Sequence, residues 1–78
     1  MRKLDLHGDH IHAAWKKVAQ FIDVCYYSNI KSCEIICGQR LIKQEIEEWL
    51  YLNTKVRNYH ISRTNGSYIV KLKKRKNI

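Results

Sequence analysis

The chain has no proline, only three glycines and only three cysteines in 78 residues. Without proline or a glycine-rich stretch there is no linker or low-complexity segment, and no repeat is visible. One small domain is therefore expected. At this size a chain buries only about 60% of its unfolded surface, so the core must be economical. No apolar run approaches the ~20 residues that span a bilayer. The opening Met1-Arg2-Lys3-Leu4 lacks the apolar segment of a signal peptide. A soluble, cytoplasmic protein with no membrane partner is expected. The cysteines, Cys25, Cys33 and Cys37, are odd in number and form no CxxC pair, which argues against a disulfide framework. Cys33 and Cys37 sit four apart in a β-prone run, share a face with Ile35, and read as small buried hydrophobes.

Acidic residues are scarce as well. Seven Asp and Glu against 15 Lys and Arg give a net charge of +8 and a pI near 9.6. Such a balance points to a polyanionic partner, with nucleic acid first and an anionic membrane second. The run Lys71-Leu72-Lys73-Lys74-Arg75-Lys76 carries five of the basic residues, and read alone it is a solubilising tail. The other ten still outnumber the acids, so the bias is not only a tail effect.

Apolar residues at Ile11, Ala14, Trp15, Val18, Ile22 and Cys25 recur in steps of three and four. They predict an amphipathic helix that ends near Tyr27-Ser28-Asn29, with Asp9 or His10 capping its start. Cys33 to Cys37 is short and apolar and predicts a central strand. A second helix is predicted from about Arg40 to Leu52, with Ile42, Ile46, Trp49 and Leu50 on its buried stripe. Val56 to Ser62 and Ser67 to Lys73 are rich in β-formers, and Asn65-Gly66 between them is a strong hairpin signal. With a first strand before Gly8, the order is β-α-β-α-β-β. Strand, helix and strand then make a βαβ unit, a crossover that is almost always right-handed. The fold class is an α/β (α+β) two-layer sandwich, with both helices on one face of a mixed four-stranded sheet.

Leu4-Asp5-Leu6-His7-Gly8 carries the most chemistry. Alternation puts Leu4 and Leu6 on one face and Asp5 and His7 on the other. Gly8 permits a sharp turn. His7 suits a general acid or base, and Asp5 would orient its imidazole or hold it protonated. The same two residues also suit a purely structural hydrogen-bonded pair. His10 and His12 enrich the neighbourhood in metal-binding types, but they point about 200° apart on a helix and no strong metal spacing is present. No protein-bound metal is expected. A weakly held Mg²⁺ or Mn²⁺ arriving with nucleic acid is compatible with the sequence. Among the tyrosines Tyr26, Tyr27, Tyr51, Tyr59 and Tyr68, most read as core or sheet aromatics, with Tyr68 the best candidate for an exposed base contact.

Taken together, these segments resemble the Smr (small MutS-related) domain. Leu4-Asp5-Leu6-His7-Gly8 resembles the family's opening LDLHG. Ile35-Ile36-Cys37-Gly38 resembles the strand that enters its HGxG or TGxG loop. Ile42-Lys43-Gln44-Glu45-Ile46-Glu47-Glu48-Trp49-Leu50 resembles the following helix, and Gly66 to Leu72 the closing G-x-x-x-V-x-L strand. The resemblance runs from about Leu4 to Leu72. It implies a domain over residues 1–72 with a basic tail over 73–78, and the sandwich shared with the C-terminal domain of translation initiation factor three. It also implies a nucleic-acid-binding domain with endonuclease (nicking) activity on DNA or RNA, with Asp5 and His7 as the catalytic pair and the Gly38 loop against the phosphate backbone. The loop departs from the family pattern. Gly38-Gln39-Arg40-Leu41 lacks the second glycine, and Cys37 stands where the family often has His or Thr. Fewer backbone N–H groups then face a phosphate, and Arg40 is placed to compensate.

The expected nucleic-acid contacts are Gly38, Gln39, Arg40, Lys43, Arg57, Arg63, Lys71, Lys73, Lys74, Arg75 and Lys76. One basic face is expected, joining the Asp5–His7 strand end, the Gly38–Arg40 loop and the tail. A monomer is expected. The rival readings are a non-catalytic nucleic-acid-binding module and a protein–protein adaptor.

Overall fold

A computed structural model describes residues 1–6, 8–37, 43–64 and 66–74. In chain order the elements are β1 (Arg2–Asp5), α1 (Ile11–Tyr27), β2 (Ser32–Ile36), α2 (Lys43–Leu52), β3 (Val56–Ile61) and β4 (Ser67–Leu72). The order is the expected β-α-β-α-β-β. The strands form one mixed sheet in the order β1-β2-β4-β3. β1 and β2 run parallel on either side of the α1 crossover, and β4 is antiparallel to both β2 and β3.

Alternation along the central strands decides which face is covered. Cys33 and Ile35 of β2 are buried, and so are Tyr68, Val70 and Leu72 of β4. Register sets Cys33 beside Val70 and Ile35 beside Tyr68, which makes one continuous apolar face. Against it α1 lays Ala14, Val18, Ile22 and Cys25, and α2 lays Ile46 and Leu50. All belong to a single core cluster with Leu6, Cys37 and Val56. All three cysteines are free and buried, as their spacing predicts. Among the described residues no helix is long and apolar enough to cross a membrane.

Among the described residues the opposite face of the sheet carries no helix. Its residues fall into rows set by register. Asp5, Ile36 and Ser67 form the first row, Lys3, Glu34, Ile69 and His60 the second, and Ser32, Lys71 and Asn58 the third. A β-bulge between Val56 and Asn58 lets β3 keep Val56 and Tyr59 directed toward the core.

α1 ends where its pattern fades. Asn29 takes the left-handed conformation at φ +60°. The Ile30 N–H donates to the Cys25 carbonyl at 2.9 Å and the Asn29 N–H to the Tyr26 carbonyl at 3.2 Å. These two bonds form a Schellman motif, with Ile30 folding back onto the core. The start of α1 differs from expectation. His10 occupies the cap position without a side-chain bond. Asp9 instead pairs with Lys17, whose Nζ lies 3.0 Å from both carboxylate oxygens.

Trp15 also departs from the predicted stripe and is 53% exposed. The true stripe is centred on Ala14, Val18, Ile22 and Cys25, and Trp15 lies about 100° ahead of Ala14. Trp49, expected as a core anchor, is half-buried and packs against the cluster. The predicted start of the second helix at Arg40–Ile42 lies outside the described residues.

Two substitutions separate core from flank. Ile35→Ala should cost about 2–5 kcal/mol in urea unfolding, whereas Trp15→Ala should stay within about 1 kcal/mol. Asn29→Ala should cost about 1 kcal/mol, because alanine lacks the local hydrogen bonding that lets asparagine hold the left-handed position.

Candidate functional site

Parallel pairing delivers the C-terminal ends of β1 and β2 to the same end of the sheet. The Leu6 N–H donates to the Ile36 carbonyl at 2.8 Å, which carries the pairing one residue past β1. The Asp9 N–H then reaches back to the Leu6 carbonyl at 3.0 Å, and Gly8 sits at φ +83° in this turn. A side chain at Gly8 would be strained there, although the space around it is open. Leu6 is fully buried, while Asp5 is exposed on the uncovered face next to Ile36. Beyond β2, the Cys37 N–H donates to the Gly66 carbonyl at 3.0 Å, tying the exit of this strand to the hairpin between β3 and β4. The hairpin itself is closed by the Ser62 N–H on the Ser67 carbonyl at 2.9 Å. The same end of the sheet therefore gathers Asp5, the Gly8 turn, Cys37 and the hairpin that bears Arg63.

His7, Gly38, Gln39, Arg40, Asn65, Arg75 and Lys76 lie outside the described residues. Their neighbours Leu6, Gly8, Cys37 and Lys43 are placed. Lys43 opens α2, half-buried, and its ammonium acts on the Cys37 thiol.

Among the described residues, the expected basic contacts lie toward two ends of the sheet, while His7, Gly38–Arg40, Arg75 and Lys76 lie outside the described residues. Asp5, Ile36 and Ser67 share one end of the sheet, whereas Lys71 pairs with Ser32 and Asn58 toward the other. Four strand residues separate Ser67 from Lys71, about 13 Å at ~3.3 Å per residue. Arg57, Lys71, Lys73 and Lys74 belong to that far end, and Lys73 is held there by its N–H on the Lys55 carbonyl at 2.9 Å. Of the expected basic contacts, Lys43 and Arg63 remain beside the Asp5 end. The split follows from the antiparallel run of β4, which leads away from the hairpin.

Tyr68, read above as an exposed contact, is a core residue at 2% exposure. Its ring meets Tyr59 edge-on, with centroids 6.3 Å apart. Burial first, and then the hydrogen bond to the Glu47 carboxylate of α2, push its hydroxyl well above the usual phenol range. This contact joins the middle of α2 to the central strand.

A polar chain crosses the uncovered face just below the strand ends. The Ser67 hydroxyl donates to Glu34 Oε2 at 2.6 Å. Ser67 Oγ lies 2.9 Å from Ser62 Oγ, which lies 3.0 Å from Thr64 Oγ1. A hydroxyl has one proton and a carboxylate only accepts, so the protons in this chain point toward Glu34. Lys3 Nζ approaches the other Glu34 oxygen at 3.9 Å. Sequence reading missed this group, because its members come from four segments that only strand register brings together.

Cys37 stands at the entrance to the Gly38 loop, yet its side chain faces inward. It is 2% exposed and its Sγ contacts the Ile35 carbonyl at 3.5 Å. Burial pushes this thiol up to about 11, with the Lys43 ammonium pulling weakly the other way. Burial, with Cys25 beside it, pushes Cys33 up to about 12. Among the described residues no group of three or more His, Cys, Asp or Glu side chains converges as metal ligands do.

Comparison with known proteins adds three findings. The family model described as the Smr domain matches residues 4–73. The crystal structure of the Smr domain of Thermus thermophilus MutS2 is similar in fold, with a TM-score of 0.88 at 19% identity, covering 94% of this chain and 99% of that one. No curated protein sequence matches.

The buried thiols set an alkaline limit. A thiol that ionises near 9 when unfolded and near 11 or 12 when folded leaves stability intact below pH 9 and drains it as pH rises toward 11–12. Urea midpoints should therefore hold from pH 7 to about 8.5 and fall above pH 9, and Cys33→Ala should weaken that fall. Tyr68→Phe, which deletes the bond to Glu47, should cost about 1 kcal/mol.

Proposed function

The chain belongs to the Smr domain family, and from that premise we propose that it binds nucleic acid at the end of the sheet where β1 and β2 finish, and nicks it there. The Smr domain is a nucleic-acid-binding, nuclease-type domain. What supports placing the site at this end is convergence. Parallel pairing brings the Asp5 strand end, the exit of β2 at Cys37, the start of α2 at Lys43 and the Arg63 hairpin to one rim of the sheet.

Cleavage of a phosphodiester needs a group that moves a proton and cations that balance the charge building on the phosphoryl oxygens. His7, between Leu6 and Gly8, takes the first role. Its imidazole accepts a proton from the attacking water or ribose hydroxyl, or donates one to the leaving oxygen. Asp5 orients that imidazole. Arg40 and Lys43 supply positive charge, and the Gly38 loop brings backbone N–H groups toward the phosphate.

One observation favours a second reading, a module that binds without cutting. Cys37 stands where the family often has His or Thr, and it turns its side chain into the core. A polar group at the loop entrance is thereby replaced by a buried, protonated thiol.

The test uses labelled single-stranded, duplex and branched DNA and the matching RNAs, each with Mg²⁺, Mn²⁺ or EDTA. Wild type should cut at least one substrate. His7→Ala should slow cutting by about 10²-fold or more while affinity changes less than about threefold. Tight binding with no cutting under any condition would reject the nicking half and leave the binding module. Absence of salt-sensitive binding would reject both.

A further inference from the structure

We propose that the far end of the sheet holds a second phosphodiester site, a cleft that grips single-stranded nucleic acid about 13 Å from the strand-end site. This rests on the nucleic-acid reading above and extends it to how a strand is held. A cleft of about 510 Å³ opens between the end of α1, the start of β2 and the end of β4. Lys31, Arg57, Lys71, Lys73 and Lys74 line it, and among the described residues no carboxylate does. The ion pairs formed among the described residues, Lys3–Glu34, Lys17–Asp9 and Lys55–Asp23, involve none of these five cations. Uncompensated cations of this density around a concavity attract a chain of phosphates.

The wall adds what a bare charge patch lacks. Half-buried Tyr26 lines the cleft, fixed edge-on to Tyr27 with ring centroids 5.2 Å apart. Lys55 Nζ lies 5.9 Å from its ring centroid. A held aromatic among cations is the arrangement on which an unpaired base stacks. The volume lies in the range of pockets that take small ligands, which suits a nucleotide or two and excludes a duplex from the interior. Ser32 and Lys71 belong both to the cleft and to the uncovered face, so a strand leaving the cleft runs onto that face toward Ser67 and Asp5. The crossing takes at most about four nucleotides, because ~3.4 Å is the spacing along a stacked duplex strand and an unstacked strand is more extended.

Fluorescence anisotropy with fluorescein-labelled oligouridylate and oligothymidylate of two to twelve nucleotides tests this. Wild-type affinity should step up between about three and eight nucleotides, where one strand first reaches both ends. Lys31→Ala/Lys73→Ala should remove the step and flatten the slope of log K against log salt by about 1.4, two single-strand phosphate contacts. Tyr26→Leu should weaken binding about tenfold with the salt slope unchanged. Lys43→Ala/Arg63→Ala should weaken binding with the cleft still contributing. If the cleft variants bind as wild type does while the Lys43/Arg63 variant weakens, the cleft is refuted and the strand-end function stands. If wild type binds no oligonucleotide, or binds only phosphatidylserine vesicles, the nucleic-acid reading falls and the cleft with it. Duplex that competes as well as single strand for the cleft would overturn its single-strand character.

Discussion

Everything here depends on burying one face of one sheet. The apolar stripes of α1 and α2 are narrow, and the surface that covers both is the inner face of the sheet, centred on β2 and β4. Among the described residues no third layer covers the other side. Both helices must then share a face, and the opposite face must carry polar residues. The sheet accordingly shows Lys3, Glu34, His60 and Lys71 to solvent while Cys33, Ile35, Tyr68 and Val70 vanish inside.

The same constraint fixes where chemistry can sit. β1 and β2 are parallel, so both release the chain at one end, and the turns that follow collect there. β4 runs the other way, so the basic residues that follow its core segment are carried to the opposite end. Among the described residues the fold therefore sets the basic side chains of β4 and those of the hairpin at opposite ends of the sheet. Near the first end, the Ser67–Glu34 bond links β4 to β2, and the Ser62–Ser67 and Ser62–Thr64 bonds tie the hairpin to them. Rigid attachment of this kind is what a site on strand ends needs, because the loops themselves carry the contacts.

Much of this was legible in the residues. Steps of three and four gave both helices, a short apolar run gave β2, and Asn65-Gly66 between two β-rich runs gave the hairpin. The LDLHG pattern and the three segments after it identified the family. The failures have a common cause, which is that local pattern does not know its neighbours. Trp15 looks like core until the stripe through Ala14 and Val18 is weighed against it. Tyr68 looks like an exposed platform until pairing with Ile35 sets it inside. Asp9 looks like a cap until Lys17, two turns on, takes its carboxylate. Lys71 and Lys73 look continuous with the Asp5 strand end until strand direction is known, and Lys31 draws no notice until β2 and β4 are seen to pair.

The account centres on nucleic acid engaging the two ends of the sheet and its open face, and not the helices. The most direct measurement is the pattern of amide chemical-shift changes when an unlabelled twelve-nucleotide strand is titrated into ¹⁵N-labelled protein. Nucleic acid held at both sheet ends should shift Asp5, Leu6, Gly8, Cys37, Lys43 and Gly66, and also Lys31, Ser32 and Lys71 to Lys74, with the outer surfaces of α1 and α2 silent. Changes concentrated around exposed Trp15, Val24 and Tyr51, with both sheet ends unmoved, would contradict it.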